Sequence, residues 1–204
     1  MRSFLWFMYT LLMITFQADA QIGVRFGVNG SLPIIQEEGL QIDNRPVSGY
    51  AFGVNYLFEF SEKWSLQPEL LWTQYGNKDF LIVNGQILSI STIRMNYIQA
   101  PVMARFHFLK HVFFEAGVYL GIGMGSIKEN TCSAICFEES HAYGGDGYYS
   151  IKRLDLGNSI GIGLSYKKFL LGLRFSTGRR NLEVEENGDS YRNNSLLTSI
   201  AYTF

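Results

Sequence analysis

The chain has 204 residues, and its 17 Lys and Arg against 18 Asp and Glu leave a formal net charge of −1, a balance with no electrostatic footprint for nucleic acid. Past the first twenty residues no stretch approaches ~18 consecutive apolar side chains, which excludes a transmembrane helix in that part. Yet 47% of the residues are hydrophobic, with 21 glycines and only 4 prolines, a composition poor for helices and suited to strands that crowd and curve.

Residues 1–20 read as a signal peptide. Arg2 precedes the apolar run 4–16, and Ala18-Asp19-Ala20 supplies a small-x-small cleavage site. The run is short for a membrane anchor, and no Cys follows Ala20 to carry a lipid. The mature chain is then 21–204, the length of one domain.

From residue 22 onward, apolar side chains recur at period two, the mark of strands with two unlike faces. The first expected strand, about 22–29, sets Ile22, Val24, Phe26 and Val28 against Gly23, Arg25, Gly27 and Asn29. The second, about 47–60, sets Tyr50, Phe52, Val54 and Tyr56 against Gly49, Ala51, Gly53, Asn55 and Glu59. A turn at Ser61-Glu62-Lys63 leads to the third, about 64–75, where Leu66, Leu70 and Trp72 oppose Gln67, Glu69 and Thr73. Pro68 cannot donate to a ladder and predicts an irregularity there. The fourth, about 94–108, sets Ile98, Val102 and Phe106 against Gln99, Arg105 and His107. The fifth, 112–125, has the cleanest alternation, with Phe114, Val118, Leu120 and Ile122 against Glu115, Gly117, Tyr119 and Gly121. The sixth (about 152–166), seventh (169–178, with Arg174 on the polar face) and eighth (194–204) repeat it.

Polar loops at 30–45, 76–91, 126–150 and 179–192 alternate strictly with three short turns. That alternation predicts an all-β, eight-stranded, antiparallel up-and-down transmembrane β-barrel, with long loops outside and short turns in the periplasm. Closure is obligatory in lipid, so the first and last strands pair. A soluble lipocalin-like barrel is the rival. It would bury Arg25, Glu59, Glu69, Arg105, Glu115 and Arg174 in a dry pocket or turn the apolar face to water, and a lipid-facing apolar exterior avoids both.

Those three Arg and three Glu form an expected lumen ionic network, neutral in sum. A three-residue loop at Leu109-Lys110-His111 would pair Phe108 with Val112 and set Arg105 opposite Glu115, an attractive cross-strand pair. The charges read either as a proton or ion path or as a plug. Eight strands enclose an interior just wide enough for side chains, which favours the plug. Trp64, Phe108, Tyr166 and Phe204 at the short-turn ends, with Trp72 and Tyr75 toward the loop end, read as interfacial girdles.

No phosphate loop, zinc motif or nucleophile elbow is present, and no catalytic, cofactor or metal residue is assigned. His141 lies near Glu138, Glu139, Ser140 and Asp146, but proximity in sequence is all that supports a loop catalytic or metal site. Cys132 and Cys136 sit in the same loop, and an oxidising compartment favours a loop disulfide between them. Phe137, Tyr143, Tyr148 and Tyr149 make that loop a candidate adaptable binding surface.

The segments GVRFGVNGS (23–31), GYAFG (49–53), SLQPELLWTQYG (65–76), YIQAP (97–101), FEAGVYLG (114–121), 155–166 and the closing AYTF resemble the PorT-like outer-membrane β-barrel family of Bacteroidetes across nearly all of the mature chain. Gln99 departs from the acidic residue common in that family. The resemblance implies export to the Gram-negative outer membrane, contact with its lipid, and recognition of a C-terminal assembly signal, Tyr202 and Phe204, by the barrel-assembly machinery. It implies no single activity, since some relatives serve protein secretion. The resulting expectation is a non-enzymatic scaffold or binding protein whose four loops contact a protein or surface ligand, with no cofactor. The alternatives are small-solute or ion passage and a loop-based lipid- or peptide-modifying enzyme.

Overall fold

The computed structural model describes residues 19–31, 34–36, 42–83, 86–133, 135–143, 151–182 and 190–204. Residues 1–18 of the expected signal peptide lie outside the described residues, as do Tyr148, Tyr149 and Asp146. In chain order the strands are β1 (Asp19–Ser31), β2 (Ile34–Gln36), β3 (Ile42–Pro46), β4 (Ser48–Glu59), β5 (Trp64–Val83), β6 (Gln86–Leu109), β7 (Val112–Cys132), β8 (Cys136–Ala142), β9 (Leu154–Tyr166), β10 (Phe169–Gly178), β11 (Ser190–Arg192) and β12 (Asn194–Thr203).

Eight of these close a barrel in the cyclic order β1-β4-β5-β6-β7-β9-β10-β12, every neighbouring pair antiparallel. The closing pair β1–β12 runs in register from Gly23↔Thr203 to Ser31↔Ser195, and the Phe204 amide donates to the Ile22 carbonyl at 2.9 Å. With no barrel edge left open, the backbone satisfies itself, as a bilayer requires.

Side-chain direction follows the period-two pattern. Val24, Phe52, Leu70, Val118, Ile160 and Leu171 all stand exposed on the outer wall. Arg25, Asn55, Glu69, Arg105, Glu115 and Arg174 are buried inside. The outer wall is the apolar face, so lipid is the solvent that makes it favourable.

The short-turn end is tight. Tyr166↔Phe169 closes a two-residue turn, with Lys167 at φ 54. The turn before β7 corrects the expected three-residue loop. Leu109, not Phe108, pairs with Val112, and a bulge between His107 and Leu109 absorbs the extra residue. The bulge restores the register above it, so Arg105 still faces Glu115. Pro68 interrupts pairing as expected: the β4–β5 ladder skips from Asn55↔Glu69 to Phe58↔Leu66.

The other end differs from the expected polar loops. Residues 76–91 and 126–150 are not simply loops, because β5, β6 and β7 run on well past residues 75, 94 and 125. Period-two apolarity ends where the bilayer ends, but strands in water need no lipid-facing stripe. The ladder Asn77↔Ile93 to Val83↔Gln86 therefore continues beyond the barrel. β3 adds to β5 along Ile42↔Leu81 to Pro46↔Asn77, and β8 adds to β7 along Ser126↔Ala142 to Cys132↔Cys136. The result is a five-stranded apron, β3-β5-β6-β7-β8, above the ring. β2 and β11 form a separate two-stranded ladder, so parts of the expected loops 30–45 and 179–192 are also strand. At Gly125, φ 72, β7 bulges: the step from Asn96 to Arg94 on β6 spans Met124 to Lys128 on β7. There β7 leaves β9, whose ladder with it ends at Ile122↔Leu154, and takes up β8.

Candidate functional site

The mid-barrel lumen holds a continuous ionic chain. Arg25 reaches Glu69 at 3.1 Å, and Arg174 grips Glu69 through both Nη atoms, at 2.8 and 2.9 Å. Arg174 Nε turns the other way and donates to Glu115 at 2.7 Å. The second Glu115 oxygen accepts from Arg105 Nε at 3.0 Å. At its ends the chain is pinned by Ser199 Oγ, 2.6 Å from Arg25 Nη1, and by the Phe113 ring, 4.4 Å beneath the Arg105 guanidinium. Alternation on five different strands delivers these groups to one level. Their fork geometry makes each Arg–carboxylate contact directional as well as attractive.

Five of the six expected network residues meet in this way. Glu59 does not. It is exposed at the short-turn rim, on a basin of about 460 Å³ that His107, Lys63 and Lys110 also line. It is the last residue of β4, where the lumen opens to water and a carboxylate stays hydrated. The connected chain thus carries three guanidiniums and two carboxylates. The third interior carboxyl is Asp155, higher up, which accepts from Tyr119 Oη at 3.2 Å and Asn193 Nδ2 at 3.0 Å. Its place on the inward face of the sixth expected strand was the signal for it.

Between the ionic chain and Asp155 a cavity of about 10 Å³, lined by Asn29, Thr73, Gln99 and Arg174 among others, has room for about one water. Above it the interior changes character. Tyr75, Ile93, Met95, Tyr97, Ile127, Tyr143, Ile151 and Leu182 form one buried apolar cluster. Tyr97 stands edge-on to both Tyr75 and Tyr143, with centroids 5.6 and 5.7 Å away. Tyr143 Oη donates to the Asn96 carbonyl at 3.0 Å. This corrects two expectations. Tyr75 shares parity with Thr73 and turns inward, so it is no girdle residue, and Tyr143 belongs to the cluster rather than to an open binding surface. Burial pushes the phenols of Tyr143 and Tyr191 up, which keeps both neutral.

Glycines make room for the large inward rings. Phe113 lies opposite Gly163 and Tyr119 opposite Gly157. A Cβ on Gly163 would collide with Phe113 Cζ, and one on Gly157 with Tyr119 Cε1.

On the apron, Cys132 and Cys136 are joined in a disulfide across the mouth of the β7–β8 hairpin. Three residues back along each strand, Glu129 and Glu139 are direct partners, with His141 diagonal to Glu129 on the same face. These three offer ligand atoms within 4.8 Å of one another, one group of metal-ligating side chains among the described residues. Glu129 was missed as a neighbour of His141 because it comes from the opposite strand. The expected disulfide was the available signal, since it fixes the hairpin register. At the hairpin tips Ile87, Leu88, Ile135 and Phe137 are exposed. Tyr202 and Phe204 close the short-turn end, Tyr202 packed edge-on against Phe169 and Phe204 exposed.

A closed antiparallel ring with an apolar outer wall and a side-chain-filled polar lumen defines a transmembrane β-barrel of the outer-membrane type. The chain belongs to the family described as outer membrane protein beta-barrel domain, which matches residues 15–182. Among solved structures, it is similar to the Neisserial surface protein A (NspA) at 11% identity and a TM-score of 0.53, over 91% of this chain and 99% of that one. It is also similar to Ail, the attachment invasion locus protein of Yersinia pestis, solved in complex with the heparin analogue sucrose octasulfate, at 13% identity and a TM-score of 0.50, again over 91% and 99%. At such identities the likeness shows the shared fold. No curated protein matches the sequence.

Proposed function

We propose that this outer-membrane barrel is a non-enzymatic scaffold that holds a folded apron outside the cell and docks a protein partner on it. The observation that carries the reading is the apron itself: five strands with their own apolar cluster, ending in the exposed tips Ile87, Leu88, Ile135 and Phe137. Strands carried past the membrane and packed on a core hold those tips in fixed positions, which lowers the ordering cost of binding. The lumen supports the same reading, since the Arg25–Glu69–Arg174–Glu115–Arg105 chain fills the ring at mid-height. The resemblance to PorT-like barrels gives the partner a class, a component of a protein secretion assembly at the outer membrane, and gives Tyr202 and Phe204 a role as the assembly signal.

Extraction of the native protein in mild detergent tests this. A stable companion is expected, and it is lost in Ile135→Ser/Phe137→Ser or Ile87→Ser/Leu88→Ser chains that still fold and reach the membrane. A barrel that comes out alone, or a companion indifferent to both pairs of changes, refutes it. Planar-bilayer recording tests the rival reading of solute passage, for which discrete conductance steps are the signature.

A further inference from the structure

We propose that Glu129, Glu139 and His141 bind one divalent transition-metal ion of the zinc class on the inward face of the β7–β8 hairpin, the face that carries Ile127. The chemistry follows from the register. Glu129 and Glu139 are direct cross-strand partners, an arrangement in which like charges oppose each other and cost stability unless a cation lies between them. His141, two residues along β8, presents Nε2 to both, 3.3 Å from Glu129 Oε2 and 3.7 Å from Glu139 Oε2. Tetrahedral zinc with ligands at about 2.0–2.1 Å sets its donor atoms about 3.3 Å apart. His141 Nε2 already stands near that spacing from each carboxylate, and the three donor atoms lie within 4.8 Å of one another.

The surroundings are built around one of the carboxylates. Glu129 is largely buried, and its Oε1 accepts from Ser91 Oγ at 2.7 Å and from Thr131 Oγ1 at 3.0 Å. Two hydroxyl donors on Oε1 fix the carboxylate plane and leave Oε2 directed at His141, the kind of outer support that orients metal-bound carboxylates. The disulfide three residues further on holds the two strands together. One imidazole and two carboxylates suit zinc, copper or nickel better than calcium or magnesium, which favour all-oxygen sets. A fourth position remains for water or for a donor from a partner. A cluster held only by the contacts of His141 with the two carboxylates is the competing account, and it predicts no metal affinity.

Titration of Co²⁺ and then Zn²⁺ into the folded full chain in detergent micelles, after chelator treatment, separates the two. The expected result is one equivalent of Co²⁺ with visible ligand-field absorption, displaced by Zn²⁺. Glu129→Gln and His141→Ala each weaken Zn²⁺ binding more than ~100-fold, beyond the roughly 10–100-fold lost with an outer-shell partner, whereas Ser91→Ala weakens it about 10-fold. His107→Ala/His111→Ala leaves it unchanged. A folded wild-type chain that takes up no Co²⁺ overturns the proposal, as does Zn²⁺ affinity equal in wild type, Glu129→Gln and His141→Ala. If a variant fails to fold, the wild-type stoichiometry and Co²⁺ spectrum decide the question alone.

Discussion

The lower and upper halves of the same strands are built inside out relative to each other. Along the membrane part of β6, Gln99 and Arg105 point inward while Val102 points out to lipid. Further up the same strand, Ile93, Met95 and Tyr97 point inward while Arg94 is exposed and Thr92 and Asn96 are partly so. Strand parity does not change; the outer solvent does. In hydrocarbon the apolar side chains belong on the wall and the charges must find one another in the lumen. In water the ordinary rule returns, and the aromatic residues form a core. Two kinds of interior result: one held by a chain of ion pairs, the other by packing.

This contrast can be broken at several points. The largest effect belongs to Arg174→Ala, which removes the guanidinium that bridges Glu69 and Glu115 and leaves each buried carboxylate with a single Arg partner. The expected loss is about 3–5 kcal/mol of barrel stability, read by urea unfolding in lipid vesicles. Removing the whole chain at once, with Arg25→Met, Glu69→Gln, Arg105→Met and Glu115→Gln added to that change, should recover most of it, and failure to do so would mean that the ionic chain is not what the barrel loses. Tyr97→Ala removes the centre of the upper cluster and costs about 3–5 kcal/mol there. Hydrogen exchange should show lost protection in Gln86–Met95 and Ile127–Cys132 with the lower barrel amides unchanged; uniform loss would show the two interiors to be one cooperative unit. Ile160→Arg puts a cation on the lipid wall near mid-height and should cost about 2–4 kcal/mol. Thr92→Arg, outward but above the membrane, should stay within about 0.5 kcal/mol by the same unfolding assay. Equal costs for the two would remove the solvent boundary from the explanation. The smallest effect is local: Lys167 sits at φ 54, so Lys167→Gly should stabilise the β9–β10 turn by about 1 kcal/mol, and no gain in the unfolding midpoint would mean the turn carries no strain.

What could be read from the residue order follows from one rule. A chain that must cross lipid as a closed ring alternates apolar and polar residues over each crossing, so the eight barrel strands and the inward Arg25, Glu69, Arg105, Glu115 and Arg174 were visible at period two. The Arg105–Glu115 pairing was visible as well, although the turn that produces it is a bulge plus two residues rather than a plain loop. Where the strands rise into water the rule no longer applies. Residues 76–91 and 126–142 carry mixed polarity on both faces, and nothing local distinguishes a strand there from a loop.

Only the tertiary structure decided which inward residues touch. Glu59 and Asp155 both have the parity of lumen residues, but height along the barrel axis places one at an open rim and the other beneath the aromatic cluster. Height depends on strand stagger, which pairing around the whole ring sets. The same is true of Glu129 on β7 and of Glu139 and His141 on β8, ten and twelve residues further along the chain, which meet because the hairpin register brings one carboxylate opposite the other. The sequence by itself determined the direction of each side chain, because alternation is a local property of a strand. The three-dimensional fold determined level and neighbour, because those are properties of the closed sheet.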